Sequence, residues 1–95
     1  MVVTATGRQD ASDPYETVGT AVVHDIFTET AARLAGQYLA LADATPDETE
    51  SGRLRERAMR LLTLKRTVPA DDRAQLIAYI RLWRGELESL KGMAR

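Results

Sequence analysis

Apolar residues recur at helical spacing along most of this chain. In its last third they follow one another at alternating steps of four and three residues, at Leu76, Ile80, Trp83, Leu87, Leu90 and Ala94. Because an α-helix completes a turn in 3.6 residues, this spacing puts them on one face. A broader apolar arc runs from Val22 to Ala42, and a narrower stripe runs from Leu54 to Leu62. Since no strand-like alternation competes over residues 14–93, the sequence predicts an all-α protein.

Three prolines, Pro14, Pro46 and Pro69, mark the expected starts of three helices. Proline suits the first position of a helix, where its missing N–H leaves no hydrogen bond unmade. Thr45 precedes Pro46 and Glu48 follows it, which is the order of an N-cap and a capping box. The predicted helices span about residues 14–43, 46–66 and 69–93, and the first begins at 20 instead if Gly19 interrupts it.

The short links between these helices limit how they pack. Consecutive helices are separated by two or three residues, near 43–45 and 66–68, and links of that length make neighbouring helices antiparallel. The expected fold is an up-down-up three-helix bundle, or an extended helical hairpin with the third helix laid along it. Residues 13–95 form one helical domain in this prediction. Residues 1–12 are small, polar and aperiodic, and we expect them to be a flexible tail.

Composition argues against most kinds of chemical site. The chain has no cysteine and a single histidine, His24, so thiolate sites, histidine metal sites and histidine relays lack their usual groups. Its carboxylates are explained by helix starts and exposed faces, and no glycine-rich phosphate loop is present. We therefore expect no catalytic residues, no metal and no cofactor. No stretch reaches the ~20 apolar residues of a membrane helix, so the sequence predicts a cytoplasmic protein with no membrane contact.

The formal net charge of -1 conceals an asymmetry between the two halves of the chain. Residues 1–52 carry two basic against nine acidic side chains, whereas residues 53–95 carry eleven basic against five acidic ones. The basic half begins within SGRLRERAMR, where Arg53, Arg55 and Arg57 have no assigned partner on another helix. These three arginines are the candidate polyanion-binding residues, and nucleic acid is the alternative partner that they would contact by charge.

The same charges also predict pairing within the chain. Folding the first two helices about a turn between residues 44 and 45 places residue n opposite residue 89 minus n. Glu29 then faces Arg60, and Arg33 faces Glu56. Within each helix the two residues are also i,i+4 neighbours, so we expect the four to form one alternating-sign cluster that sets the register of the hairpin.

Some apolar residues fall outside the surface that two neighbouring helices would cover. Leu39 lies beyond the arc of the first helix, and Tyr79, Leu82 and Met93 lie off the seam of the third. Fourteen of the hydrophobic residues are alanine, so large side chains for a monomeric core are few. Both observations predict that these four residues form an interface with a second copy or with a larger protein.

These features lead to three functional hypotheses. The first is a small non-catalytic helical interaction module, a regulator, adaptor or accessory protein that self-associates or docks onto a larger protein. The alternative is a nucleic-acid-associated protein that binds phosphates through the basic face of its second and third helices. The third is an accessory subunit of an enzyme whose catalytic groups lie in another chain.

Overall fold

The protein is a set of three α-helices joined by short links. The computed structural model describes Tyr15 and residues 17–93. Its helices are α1 (Thr20–Ala44), α2 (Glu48–Thr67) and α3 (Arg73–Met93), and no strand occurs in the described part of the chain. The predicted all-α fold is therefore confirmed, and the first helix begins at the later of its two expected positions. The expected tail of residues 1–12 and the capping motif at Pro14 lie outside the described residues.

The second helix begins two residues later than the pattern indicated. The side chain of Asp47 accepts hydrogen bonds from the N–H groups of Thr49 (2.9 Å) and Glu50 (3.4 Å), so Asp47 and not Thr45 is the N-cap. The Thr45 hydroxyl instead donates to the carbonyl of Leu41 at 2.6 Å, and the Thr45 N–H bonds the carbonyl of Ala42. Thr45 thus closes the last turn of α1, because both its hydroxyl and its N–H donate to carbonyl groups of that turn.

The third helix begins at Arg73 rather than at Pro69. A hydrogen bond of 3.2 Å from the Asp72 N–H to the Pro69 carbonyl closes a turn over these residues. The Asp72 carboxylate then accepts from the N–H of Gln75, three residues on, at 3.2 Å. That contact is the one an N-cap makes, so α3 starts directly after Asp72. Val68, the residue before Pro69, has no side chain that could cap a helix there.

The first helix is the centre of the fold. Helices α2 and α3 both pack on α1, whereas no Cα atom of α2 lies within 8 Å of one in α3. The guanidinium of Arg55, near the start of α2, pairs with Asp43 at the end of α1, while Arg73, which starts α3, bonds the hydroxyl of Thr20, which starts α1. These contacts fit an up-down-up order in which α3 runs in the direction of α1. They also show an open arrangement, not a closed bundle.

The two flanks of α1 are packed by different kinds of side chain. From α2 the core receives the fully buried Ala58, whose small side chain allows a second helix to approach closely, and Leu61. Toward α3 the core is aromatic, because the rings of Phe27 and Trp83 lie 5.2 Å apart and Tyr79 stacks on Trp83 at 5.0 Å. Aromatic pairs of this kind contribute about 0.5–1.5 kcal/mol beyond their buried area. The α1–α3 contact therefore has the larger side chains, and Trp83 is a core residue as its spacing predicted.

The start of α3 also fastens the segment that precedes α1. The guanidinium of Arg73 donates to the carbonyl of Val18 at 2.7 Å and to the carbonyl of Tyr15. The Val18 N–H bonds the Tyr15 carbonyl at 2.8 Å, which forms a turn before Gly19, the N-cap residue of α1. One arginine thereby satisfies backbone carbonyls that no helix would satisfy. This contact spans more than fifty residues, and nothing in the local pattern predicts it.

Candidate functional site

A groove lies between α2 and α3 where the two helices fail to meet. Tyr38 of α1 contributes to this groove together with Glu86 of α3, and the cavity at this point measures about 220 Å³. The remaining lining residues all come from α2 and are Arg57, Arg60, Leu61 and Leu64. The groove exists because α1 carries a helix on each flank and the two outer helices make no backbone contact.

A hydrogen bond from Tyr38 to Glu86 crosses the floor of the groove. The Tyr38 hydroxyl donates to Oε1 of Glu86 at 2.7 Å, and Tyr38 is only 6% exposed. The guanidinium of Arg57 lies over the Tyr38 ring, 5.3 Å from its centre, which is within the range of a cation–π contact. Burial raises the pKa of Tyr38 above its usual value of 10.0, the hydrogen bond and negative charge of Glu86 raise this pKa further, and Arg57 offsets part of the rise. Tyr38 therefore links all three helices as a neutral donor.

An exposed apolar side chain lies on α3 one helical turn from the groove. Leu82 precedes Glu86 by four residues and follows Tyr79 by three, so the three share one face of α3. Leu82 is 56% exposed. Met59 on α2 is exposed to the same extent, but it lies about 200° around the helix from Arg57 and so points away from the groove. Leu82 therefore lies beside the groove and Met59 points away from it, while the two apolar side chains are equally exposed.

The four predicted interface residues have different environments. Leu82 is exposed, as the sequence predicted. Leu39 and Tyr79 are partly buried and pack against the core, which covers part of the surface that the sequence assigned to an interface. The reason for Tyr79 is its stacking on Trp83, which widens the buried face of α3. The interface role of Leu39 and Tyr79 stays a prediction. The side chain of Met93 lies outside the described part of the structure.

The arginines singled out in the sequence do not share one face. Arg55 pairs with Asp43 at 2.6 Å across the hairpin, and Arg57 covers Tyr38, so both have partners on another helix. The sequence had assigned neither of these partners. Arg53 pairs within α2 with Glu50 at 3.8 Å. Because residues at i, i+4 and i+7 align on a helix, Arg53 and Arg57 share a face with Arg60, and these three line one shallow cavity on α2.

The predicted four-residue charge cluster does not form. Glu56 and Arg60 pair at 3.7 Å within α2, but among the described residues no ion pair joins either of them to Glu29 or Arg33. Arg33 lines a cleft with residues of α3 instead. The predicted register is wrong because it placed Asp43 opposite residue 46, whereas Asp43 pairs with Arg55 and the Ser51 hydroxyl bonds the Ala42 carbonyl.

Two exposed apolar residues were missed by the sequence reasoning. Val22 is 50% exposed although it belongs to the apolar arc of the first helix, and Met59 is 56% exposed although α2 carries few apolar residues. The arc of α1 extends beyond the surface that α2 and α3 cover. At 100° per residue Val22 lies about 140° from Phe27 and about 120° from Leu34, so a narrower arc centred on these two residues would have excluded it.

Within the described residues no group of three or more histidine, cysteine or acidic side chains could hold a metal ion. His24 stacks against Phe27, with ring centres 6.0 Å apart, and is half-buried beside the core. None of the helices, over the residues that can be placed, has the length and apolar character needed to cross a membrane. No known protein family, curated protein or solved structure matches this chain.

Proposed function

We propose that this chain is a small, non-catalytic helical interaction module that self-associates through the groove between α2 and α3. Its role would be that of a regulator, adaptor or accessory subunit. The observation that carries the proposal is the separation of α2 from α3, since no Cα pair between them lies within 8 Å while both pack on α1. Two helices held apart in this way leave a groove between them into which a further helix can pack. The proposed occupant is a second copy of the chain.

The groove combines the two kinds of surface that protein interfaces use. Leu61 and Leu64 on its α2 wall are apolar. Leu82, one helical turn before the lining residue Glu86 on α3, is more than half exposed. Arg57 and Glu86 add opposite charges beside them. Apolar residues at the centre of an interface supply most of its affinity, whereas charges at the rim set orientation. A self-complementary contact would use both, with the apolar wall covered by the partner copy.

A pair of matched substitutions tests the groove. Leu82→Glu places a charge beside the groove, one helical turn from Glu86, and Met59→Glu places the same charge on an equally exposed apolar residue that points away from the groove. Light scattering across a concentration series measures the mass of each variant. We expect the wild type and Met59→Glu to associate alike, and Leu82→Glu to weaken association by about tenfold or more, because a buried charge costs an interface about 1.4 kcal/mol at least.

Two outcomes would contradict the proposal. A wild-type chain that stays monomeric at every concentration would remove self-association. Equal weakening by Leu82→Glu and Met59→Glu would remove the groove as the site, because a general effect of added charge would then explain both. Circular dichroism of each variant checks that its helices persist, since both residues are exposed and neither belongs to the core.

A second candidate function is supported by the arginine face of α2. Arg53, Arg57 and Arg60 line one shallow cavity, which is the arrangement that contact with phosphates by charge would need. Glu50 and Glu56 line the same cavity and pair with Arg53 and Arg60. The net positive charge of this face is therefore smaller than its three arginines alone would give. Single-stranded and duplex oligonucleotides at low salt test this function, and an absence of binding there would end it.

A further inference from the structure

A second cleft lies between α1 and α3, away from the groove. It measures about 380 Å³, and α2 contributes no residue to it. Arg33 and Gln37 line it from α1, and Arg84, Leu87 and Lys91 line it from α3. Because Arg33 and Gln37 lie one turn apart on α1, and Arg84 and Lys91 lie two turns apart on α3, the cleft runs along one turn of α1 and two turns of α3. A cavity of this size is within the range that ligands occupy in proteins.

The charge of the cleft is positive and only partly compensated. Lys91 pairs with Glu88, the one acidic lining residue, at 3.6 Å. Among the residues that the structure describes, no carboxylate pairs with Arg33 or with Arg84, and the Arg84 guanidinium has the Tyr15 ring 6.0 Å away. Two guanidinium groups from different helices therefore line one cavity, and the carboxylate of Glu88 in the same lining pairs with Lys91 and with neither of them. Such a pair favours an anion that can accept hydrogen bonds from both.

The floor of the cleft is apolar. Leu87 and Leu90 line it and are partly buried against the core, so a ligand that reaches past the arginines meets hydrocarbon. A free inorganic anion uses the charged rim and gains nothing from this floor. A protein segment that alternates carboxylates with leucine-like side chains satisfies both. The side-chain amide of Gln37 supplies a hydrogen-bond donor or acceptor for the backbone of such a segment.

We infer that the α1–α3 cleft binds an acidic segment of a partner protein, with carboxylates held by Arg33 and Arg84 and apolar side chains resting on Leu87 and Leu90. This inference goes beyond the proposed self-association, because the cleft and the groove share no lining residue. Each site can therefore fail in an experiment without the other. The rim attraction is electrostatic and weakens as salt is added.

A labelled peptide of six alternating glutamate and leucine residues serves as the probe. Fluorescence polarisation measures its binding to the full chain, to Arg33→Gln with Arg84→Gln, and to Arg53→Gln with Arg60→Gln as a control that removes the same charge from α2. We expect the first double variant to bind about tenfold more weakly than the wild type, and the control to bind as the wild type does. All four arginines are exposed, and the ion pairs that Arg53 and Arg60 make lie within α2, so the folds of both variants should persist, as circular dichroism will check.

Two further peptides separate the rim from the floor. Hexaglutamate should bind several-fold more weakly than the glutamate–leucine peptide, and a glutamine–leucine peptide should not bind measurably. Equal loss in the two double variants would reduce the result to net charge and overturn the inference. Equal binding of hexaglutamate would overturn the role of Leu87 and Leu90, and an absence of binding by the glutamate–leucine peptide at low salt would overturn the site. Light scattering of the same variants measures their self-association separately, so a loss of peptide binding can be told apart from a loss of self-association.

Discussion

Removing the hydrogen bond between Tyr38 and Glu86 would measure how much this contact between α1 and α3 contributes to the free energy of unfolding. Tyr38→Phe removes the hydroxyl that donates to Oε1 of Glu86 at 2.7 Å. It keeps the ring on which Arg57 rests, so the cation–π contact should survive. The substitution therefore changes one interaction between α1 and α3 without opening a cavity.

The expected loss follows from the charge and burial of the two partners. A hydrogen bond to a charged group contributes about 1.5–3 kcal/mol to stability. Glu86 is half-buried, so water can solvate its carboxylate once the hydroxyl is gone, and we expect the low end, about 1.5 kcal/mol. In a domain of this size each kcal/mol lowers the melting temperature by about 4–8 °C. Tyr38→Phe should therefore melt roughly 6–12 °C below the wild type.

The assay is urea unfolding followed by the fluorescence of Trp83, the single tryptophan, at neutral pH. Glu86→Ala and the double variant complete a thermodynamic cycle, whose coupling energy we expect to be about 1 kcal/mol. Tyr79→Phe is the matched control, because Tyr79 packs by its ring and no hydrogen bond of its hydroxyl occurs within the described residues. A coupling energy under about 0.3 kcal/mol would refute the reasoning. So would an equal loss from Tyr79→Phe.

Three other outcomes follow from the structure. Above about pH 10 the free energy of unfolding should fall more steeply with pH in the wild type than in Tyr38→Phe. The reason is the raised pKa of Tyr38, because of which the unfolded chain loses the phenolic proton at a lower pH than the folded chain does. Urea unfolding at several pH values measures this, and an equal fall in both proteins would contradict it. In thermal melts Asp47→Ala should cost about 1 kcal/mol through the lost N-cap, and a greater loss from Thr45→Val would contradict the cap assignment. Ala35→Leu should destabilise by about 1–3 kcal/mol in urea, because Ala35 is buried in the core, whereas Ala40→Leu on the exposed side of α1 should have little effect.

Features set by local chemistry were predicted well. The four-and-three spacing of Leu76, Ile80 and Trp83 identified the buried face of α3, and all three are in the core. Helix number followed from the prolines and nearby acidic residues. Helix starts were less accurate, because Thr45 and Asp47 are both capping residue types, and the choice between them depends on which carbonyl groups α1 leaves without a partner.

The candidate sites could not be predicted in the same way. The partners of Arg55 and Arg57 are Asp43 and Tyr38, which belong to another helix, so they depend on the register of α2 against α1. A change of one residue in that register moves facing side chains by about 1.5 Å along the axis and about 100° around it. The assumed turn did not have the observed geometry, and every cross-helix pair derived from it moved as a consequence.

The sequence by itself determined that the chain forms three helices, where they broadly lie and which face of α3 is buried, because these depend on spacing and capping within a few residues. Only the tertiary structure decided that α1 lies between two helices that do not meet, and that Tyr38 joins all three. It also brought Arg33 and Arg84 into one cleft. The physical reason is that these relations join residues far apart in the chain, and packing of alanines on one flank and aromatic rings on the other sets them.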